Sequence, residues 1–119
     1  MALYLGIDIG TSASKGVLID DRCNIVCQAS CGHETDNPCD GWYQHDAEAV
    51  WWGDFCRLSR ELVVRSGVNA AQIGCVGLSA LGCDCVPVDT ECNALAPAIL
   101  YGVDARSKPQ IDELLSEYG

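Results

Sequence analysis

The chain has 119 residues, with 17 Asp+Glu against 7 Lys+Arg and a formal net charge of −10. That length suits one domain at most, and the acidic balance with dispersed basic residues argues against a nucleic-acid partner, which needs a basic face. No apolar run is long enough to span a bilayer, and Asp8 interrupts the N-terminal apolar stretch before it could serve as a targeting segment.

Leu3 to Ile9 is predominantly apolar and reads as a buried central strand holding Asp8 near its end. An acid inside such a strand costs several kcal/mol unless it finds a partner, roughly 2–7 by transfer scales. Gly10 to Ser14 carries turn residues, with Thr11, Ser12 and Ser14 leading to Lys15. Gly16 to Asp20 reads as a second strand, Asp20-Asp-Arg-Cys-Asn24 as a turn, and Ile25 to Ser30 as a third strand. Strands joined this closely form an antiparallel meander, because parallel neighbours need a long crossover.

Gly32 to Asp40 has loop composition. Asp46 can cap a helix from Ala47 to about Arg65, in which Trp51, Phe55, Leu58 and Leu62 make one apolar stripe while Asp54 falls on another face. Gly67 fits the helix stop. Ile73 to Ser79 reads as a buried strand, parallel to one of the first three because a helix precedes it. Cys83 to Asp89 and Pro97 to Tyr101 read as extended, separated by the turn Asp89-Thr-Glu-Cys-Asn93. Ser107 and Pro109 open a final helix with Ile111, Leu114, Leu115 and Tyr118 on one side.

The nine cysteines include no Cys-x-x-Cys pair, and their odd number speaks against a disulfide scaffold. They are expected to be reduced thiols acting as small core residues in a cytoplasmic protein.

A Walker A loop requires Gly-x-x-x-x-Gly-Lys-Ser/Thr before a helix, and the dinucleotide fingerprint requires Gly-x-Gly-x-x-Gly; neither occurs here. What remains is a strand–turn–strand bearing Asp8, Gly10, Thr11, Ser12 and Lys15. Consecutive turn amides form a concave anion site, a carboxylate suits Mg²⁺ through water, and a lysine adds a compact positive charge. The alternative is an ordinary hairpin with a solvated Lys15.

This stretch resembles the first phosphate motif of the sugar kinase and actin superfamily. Gly41-Trp-Tyr-Gln-His-Asp46 with the following Trp51-Trp52, then Val76-Gly-Leu-Ser79, then Pro97-Ala-Ile-Leu-Tyr101 through Asp104-Ala-Arg106 resemble, in order, segments of the FGGY carbohydrate kinases. The match in order and spacing resembles xylulokinase-like members in particular. Gln44 and His45 stand where the family usually has an acid and a glutamine, Tyr101 replaces a Trp, and the Met-His pair of xylulokinases is missing at Gly82-Cys83.

The resemblance implies an α/β fold: an actin-like ATPase (ribonuclease H-like) domain, its three-strand meander extended by a parallel strand and flanked by helices. Residues 1–119 would be an incomplete N-terminal portion of the first of two domains. It further implies ATP and Mg²⁺ as cofactors and a small sugar or polyol as acceptor. Asp8 would lie near the metal, Gly10, Thr11, Ser12 and Lys15 near the phosphates, and Gly82, Cys83, Tyr101, Asp104 and Arg106 near the substrate. The catalytic base is expected beyond Gly119, so the fragment alone is expected to be inactive, and the full-length protein could form a homodimer. A different actin-like ATPase, or a sugar- or nucleotide-sensing module without catalysis, are the competing readings.

Overall fold

The computed structural model describes residues 1–119. In chain order it contains β1 (Leu3–Ile9), β2 (Ala13–Asp20), β3 (Ile25–Gly32), β4 (Gln44–His45), α1 (Gly53–Ser66), β5 (Ile73–Ser79), β6 (Ala98–Ile99) and α2 (Lys108–Tyr118). One sheet has the order β3-β2-β1-β5 and β4 pairs with β6 in a second. β1 pairs antiparallel with β2 and parallel with β5, as the meander and the helical crossover require.

The turn that ends β2 shows how local chemistry shapes the meander. Asp20 Oδ1 accepts from the backbone N–H groups of Arg22 and Asn24, each at 2.9 Å. The same device recurs at Asp89, which accepts from Glu91 N and Asn93 N at 2.8 and 2.9 Å. Each turn places a cysteine in the left-handed region, Cys23 at φ 63° and Cys92 at φ 66°, a conformation that costs roughly 1–2 kcal/mol outside glycine.

Helix α1 covers one face of the sheet. Leu58 and Leu62 pack with Leu3, Leu5, Ile7, Ile9 and Leu18 in the single buried cluster. Each of the two helix leucines contributes about 1.5–3 kcal/mol of burial. Gly16 lets the helix approach, since a Cβ there would lie 2.8 Å from Leu62 Cδ1 and 3.0 Å from Ile7 Cδ1.

Several expectations change. β1 is buried on one face only: Leu3, Leu5, Ile7 and Ile9 point to α1, while Tyr4 and Asp8 are exposed. Asp8 therefore escapes the burial cost foreseen for it. β5 forms as predicted but is exposed from Gly74 to Ser79, because it is an edge strand that α1 does not reach. The predicted first helix begins as one π-helical turn over Ala47–Trp52, capped by Asp46 accepting from Ala49 N, before α1 proper. Asp54, assigned to an outer face, is buried. Of the extended stretches Cys83 to Asp89 and Pro97 to Tyr101, only β6 and isolated bridges at Cys85 and Val88 pair. Helix α2 forms without a Ser107 side-chain cap, and Ile111, Leu114, Leu115 and Tyr118 are all at least half exposed. All nine cysteines are free and none is fully buried; Cys27 and Cys31 pack against the core cluster, but six of the nine are exposed, so most are not the core residues expected.

The radius of gyration is 18.1 Å, with extents of 60 × 28 × 26 Å, against roughly 13–14 Å for a compact domain of this length. The one buried cluster lies between the sheet and α1, and neither β4–β6 nor α2 contributes a residue to it.

Because Gly16 is the contact point between sheet and helix, Gly16→Val should destabilise the domain by about 1–3 kcal/mol through overpacking. Urea-induced unfolding would read this as a lower midpoint, and an unchanged midpoint would remove Gly16 from the packing argument.

Candidate functional site

The connection between β1 and β2 closes through Gly10 N donating to Ala13 O at 3.0 Å. A Cβ at Gly10 would stand 2.7 Å from that same oxygen, so only glycine fits the closure. The carbonyls behind this turn are held from within the chain. His33 Nε2 contacts Gly10 O at 2.8 Å and Thr11 O at 3.2 Å, and the His33 backbone N–H donates to Ser12 O at 3.0 Å. Thr35 Oγ1 donates to Thr11 O at 3.1 Å, and His45 Nε2 reaches the same oxygen at 3.0 Å. By contrast, the N–H groups of Thr11 and Ser12, both exposed residues, have no acceptor in the chain. The turn is thus polarised, with carbonyls bound inside and amides presented to solvent, which is the arrangement that attracts an anion.

Two buried groups set this polarity. Trp51 Nε1 can only donate, and it donates to His45 Nδ1 at 3.0 Å. His45 therefore carries its proton on Nε2 and gives it to Thr11 O. Burial first, and the neighbouring His33 ring second, push His45 below the ordinary imidazole range, which favours this neutral form. The second group is Asp54, 1% exposed. Its Oδ2 accepts from Ser14 Oγ at 2.7 Å and lies 2.7 Å from His33 Nδ1, and Arg57 reaches Oδ1 at 3.3 Å. Burial pushes the Asp54 carboxyl up, but hydrogen bonds from Ser14, His33 and Cys31 outweigh it and hold the group below its ordinary value. Burial, and then Asp54 itself, push the Cys31 thiol up.

Asp8 and Lys15 are register partners across β1 and β2. Both are exposed on the sheet face opposite α1, and neither takes part in an ion pair. With Gly6, Val17, Gly77 and Ser79 they line an open concavity of about 910 Å³. Gly10, Thr11 and Ser12 lie outside that concavity, in the turn that joins the two strands, with Asp8 and Lys15 paired in register just before and after it. These donors fit a nucleotide's phosphates: two free amides, one ammonium, and an unpaired carboxylate suited to a hydrated divalent cation.

Gly82, Cys83, Tyr101, Asp104 and Arg106 fall into two sets of contacts near the β4–β6 pair, one around Asp84 and one around the Asp104–Arg106 ion pair. Asp84 Oδ1 accepts from Tyr101 N at 2.7 Å and so ties Tyr101 to the exposed Gly82-Cys83 loop, where Cys83 has φ 64°. Asp84 Oδ2 is the one buried side-chain oxygen without a hydrogen-bond partner. Asp104 and Arg106 bind each other: Arg106 Nε lies 3.0 and 2.9 Å from the two Asp104 oxygens, and Arg106 Nη2 reaches Asp104 Oδ2 at 2.8 Å and Gln44 Oε1 at 3.1 Å. Tyr43 N also donates to Asp104 Oδ2, at 2.7 Å. The guanidinium lies over Trp42, 4.3 Å from the ring centroid. Arg106 Nη1 is left free of these bonds.

His33, Thr35, His45, Trp51, Asp54 and Asp84 were not singled out as site residues from sequence, and Ser14 was left aside. One signal was present: Asp54, Leu58 and Leu62 are four residues apart, which puts the acid on the buried stripe.

A meander extended by a parallel strand, with an amide-lined turn between an acid and a lysine, defines an actin-like ATPase type of domain. Residues 3–119 match the N-terminal domain of the FGGY family of carbohydrate kinases, and the chain belongs to that family. It is 29% identical to a glycerol kinase of Nostoc over 111 residues, which is 92% of this chain and 22% of that protein. Among solved structures, a xylulose kinase from Brucella ovis superposes with a TM-score of 0.85 at 31% identity, covering 97% of this chain and 24% of that one. Glycerol kinase from Plasmodium falciparum with ADP gives a TM-score of 0.84 at 25% identity, covering 100% and 24%. The chain spans about a quarter of the length of such relatives.

Hydrogen bonds from Arg106 hold the Asp104 carboxyl down from 3.8 to about 2. Its folded-state pKa is depressed, so the stabilisation it carries is complete above 3.8 and is lost as pH falls through about 2. In Arg106→Gln the carboxyl pKa should rise from about 2 toward the ordinary carboxylate value. Carboxyl ¹³C titration would measure it, and a variant value still near 2 would show that Tyr43 N and the loop backbone, not Arg106, hold the charge.

Proposed function

We propose that the protein carrying this sequence is an ATP-dependent carbohydrate kinase that transfers the γ-phosphoryl group of ATP to a hydroxyl of a small sugar or polyol. The polarised Gly10–Ala13 turn carries this reading, since its free Thr11 and Ser12 amides beside Lys15 offer an anion site that an ordinary hairpin would not keep. The ADP bound to the Plasmodium falciparum glycerol kinase supports the nucleotide assignment.

In this reading Thr11 N, Ser12 N and Lys15 Nζ bind and orient phosphate oxygens, and Asp8 holds Mg²⁺ through water. Mg²⁺, when bound, neutralises charge that develops on the phosphates. The acceptor lies against the residues near the β4–β6 pair, where Gly82 and Cys83 leave room, Tyr101 offers an aromatic face, and the Asp104–Arg106 pair presents the free Nη1 to hydroxyls. A xylulose-like ketose is the first acceptor class to test, with glycerol beside it because relatives of both kinds are similar to this chain. The base that takes the hydroxyl proton is assigned outside residues 1–119, which form the N-terminal part of the first of two domains. No helix is long and apolar enough to cross a membrane, and we assign the enzyme to the cytoplasm.

The test is ADP release by the full-length protein across pentuloses, hexuloses, glycerol and other polyols. One acceptor class should stimulate turnover, and Gly10→Ala should lower kcat/KM for ATP by about 10²-fold or more, comparable to losing a preorganised charge-stabilising donor. The 119-residue piece alone should release none. No ADP release with any acceptor, at nucleotide concentrations that saturate binding, would favour a sensing module instead.

A further inference from the structure

His33 has a geometry that an ordinary structural histidine does not need. Its Nδ1 lies 2.7 Å from Asp54 Oδ2 and its Nε2 lies 2.8 Å from Gly10 O, so both ring nitrogens face acceptors. A neutral imidazole has one donor nitrogen. It would leave either the carboxylate or the carbonyl opposite a lone pair at hydrogen-bonding distance, inside a side chain that is only 6% exposed. The imidazolium makes both contacts hydrogen bonds, and the one to Asp54 becomes charge-assisted.

We infer that His33 is a positioning residue for the phosphate turn, acting as an imidazolium that joins Asp54 on α1 to the Gly10 and Thr11 carbonyls and so fixes the Thr11 and Ser12 amides outward. This rests on the proposed phosphate role of that turn and adds a proton-linked part to it.

The surroundings define what can act on His33. Helix α1 contributes Asp54 and, beyond it, Arg57, whose side chain is 58% exposed and whose contact to Asp54 is long at 3.3 Å. His33 is therefore the nearer counter-ion of the buried carboxylate. β4 contributes His45, edge-on with ring centroids 5.0 Å apart; its Nδ1 is taken by Trp51, so it stays neutral and competes for no proton. β3 contributes the Cys31 thiol, which lies against Asp54. β2 contributes Ser14, a hydroxyl that already donates to Asp54; Asp8 and Lys15 project from the opposite face of the sheet.

Loss of the proton breaks one of the two bonds. The bond to the turn is the weaker because its acceptor is neutral, so the deprotonated ring keeps its one proton on Nδ1, which already faces Asp54, and loses the bond from Nε2 to Gly10 O. Asp54 then holds its remaining donors, and the turn carbonyls lose one of theirs.

The sequence contains two histidines, so ring ¹⁵N signals in the intact protein can be assigned with a single His45→Gln control. His33 should show two protonated nitrogens at the pH where nucleotide binds best, and the Thr11 and Ser12 amide resonances should shift with pH in step with its deprotonation. His33→Gln, which keeps one donor and no charge, should raise KM for ATP about tenfold, the equivalent of one charge-assisted hydrogen bond. Its kcat should change far less, and the pH transition in KM should disappear. A neutral His33 ring across that range, or turn amides that ignore its titration, would overturn the proposal. The ring and amide signals need no nucleotide, so a protein that binds no ATP would sink the kinase reading and leave this one decided by the spectra.

Discussion

The hairpin between β1 and β2 can present amides to a ligand only if its carbonyls are occupied elsewhere, and that requirement shapes the surrounding structure. A tight turn exposes donors and acceptors together, and an anion is attracted only where the acceptors are withdrawn. Here the withdrawal is done by His33, Thr35 and His45, from the end of β3, the loop after it and β4. None of those groups can point inward unsupported. Trp51 fixes the proton on His45, and Asp54 holds the other side of His33. The π-helical turn before α1 belongs to the same chain of causes, because it brings the Trp51 indole within 3.0 Å of His45. Such insertions are costly in a plain helix and recur where a side chain must be re-aimed.

The sheet shows a matching division of labour. One face carries Leu5, Ile7 and Leu18 against Leu58 and Leu62, and Gly16 allows the helix close enough to bury Ser14 and Asp54 beneath it. The other face carries Asp8 and Lys15, exposed and unpaired with each other. Strand alternation makes this separation automatic: Ser14 and Lys15 are neighbours in sequence but lie on opposite faces. The hydrophobic side that anchors the hairpin therefore also contains the polar network that orients its turn, and the charged side stays open to solvent.

Much of this frame was legible from the residues. The period-2 strands, the Asp-initiated turns at Asp20 and Asp89 and the amphipathic stripe of α1 all depend on neighbours a few positions away, where spacing carries the information. The amide-bearing turn was legible for the same reason. What was not legible depends on pairs 20 to 40 positions apart. The Ser14–Asp54 and His33–Asp54 contacts span 40 and 21 residues, and although the spacing to Leu58 and Leu62 puts Asp54 on the buried stripe, no local rule names its partners. The exposure of Asp8 is not legible, because a run of apolar residues around an acid looks alike whether one face is covered or both. The cysteines were misjudged because composition says they favour interiors, while several here serve as turn residues in left-handed conformations, at Cys23, Cys83 and Cys92.

The contacts near the β4–β6 pair follow another logic. Asp104 and Arg106 are spent largely on each other, on Gln44 and on Trp42, and a pair so engaged cannot rearrange freely around a ligand. That is an advantage for recognition, because a side chain already held in place loses little entropy on binding. What such contacts offer a hydroxyl-rich molecule is fixed groups: the free Nη1 of Arg106, the Tyr101 ring and the unpaired Oδ2 of Asp84. Gln44 deepens the point. It accepts from Arg106 through Oε1 and donates to Asp36 through Nε2. An amide at this position can make both bonds at once, whereas a carboxylate could accept from Arg106 but would repel Asp36. The glutamine therefore holds the arginine in place while adding no negative charge beside it.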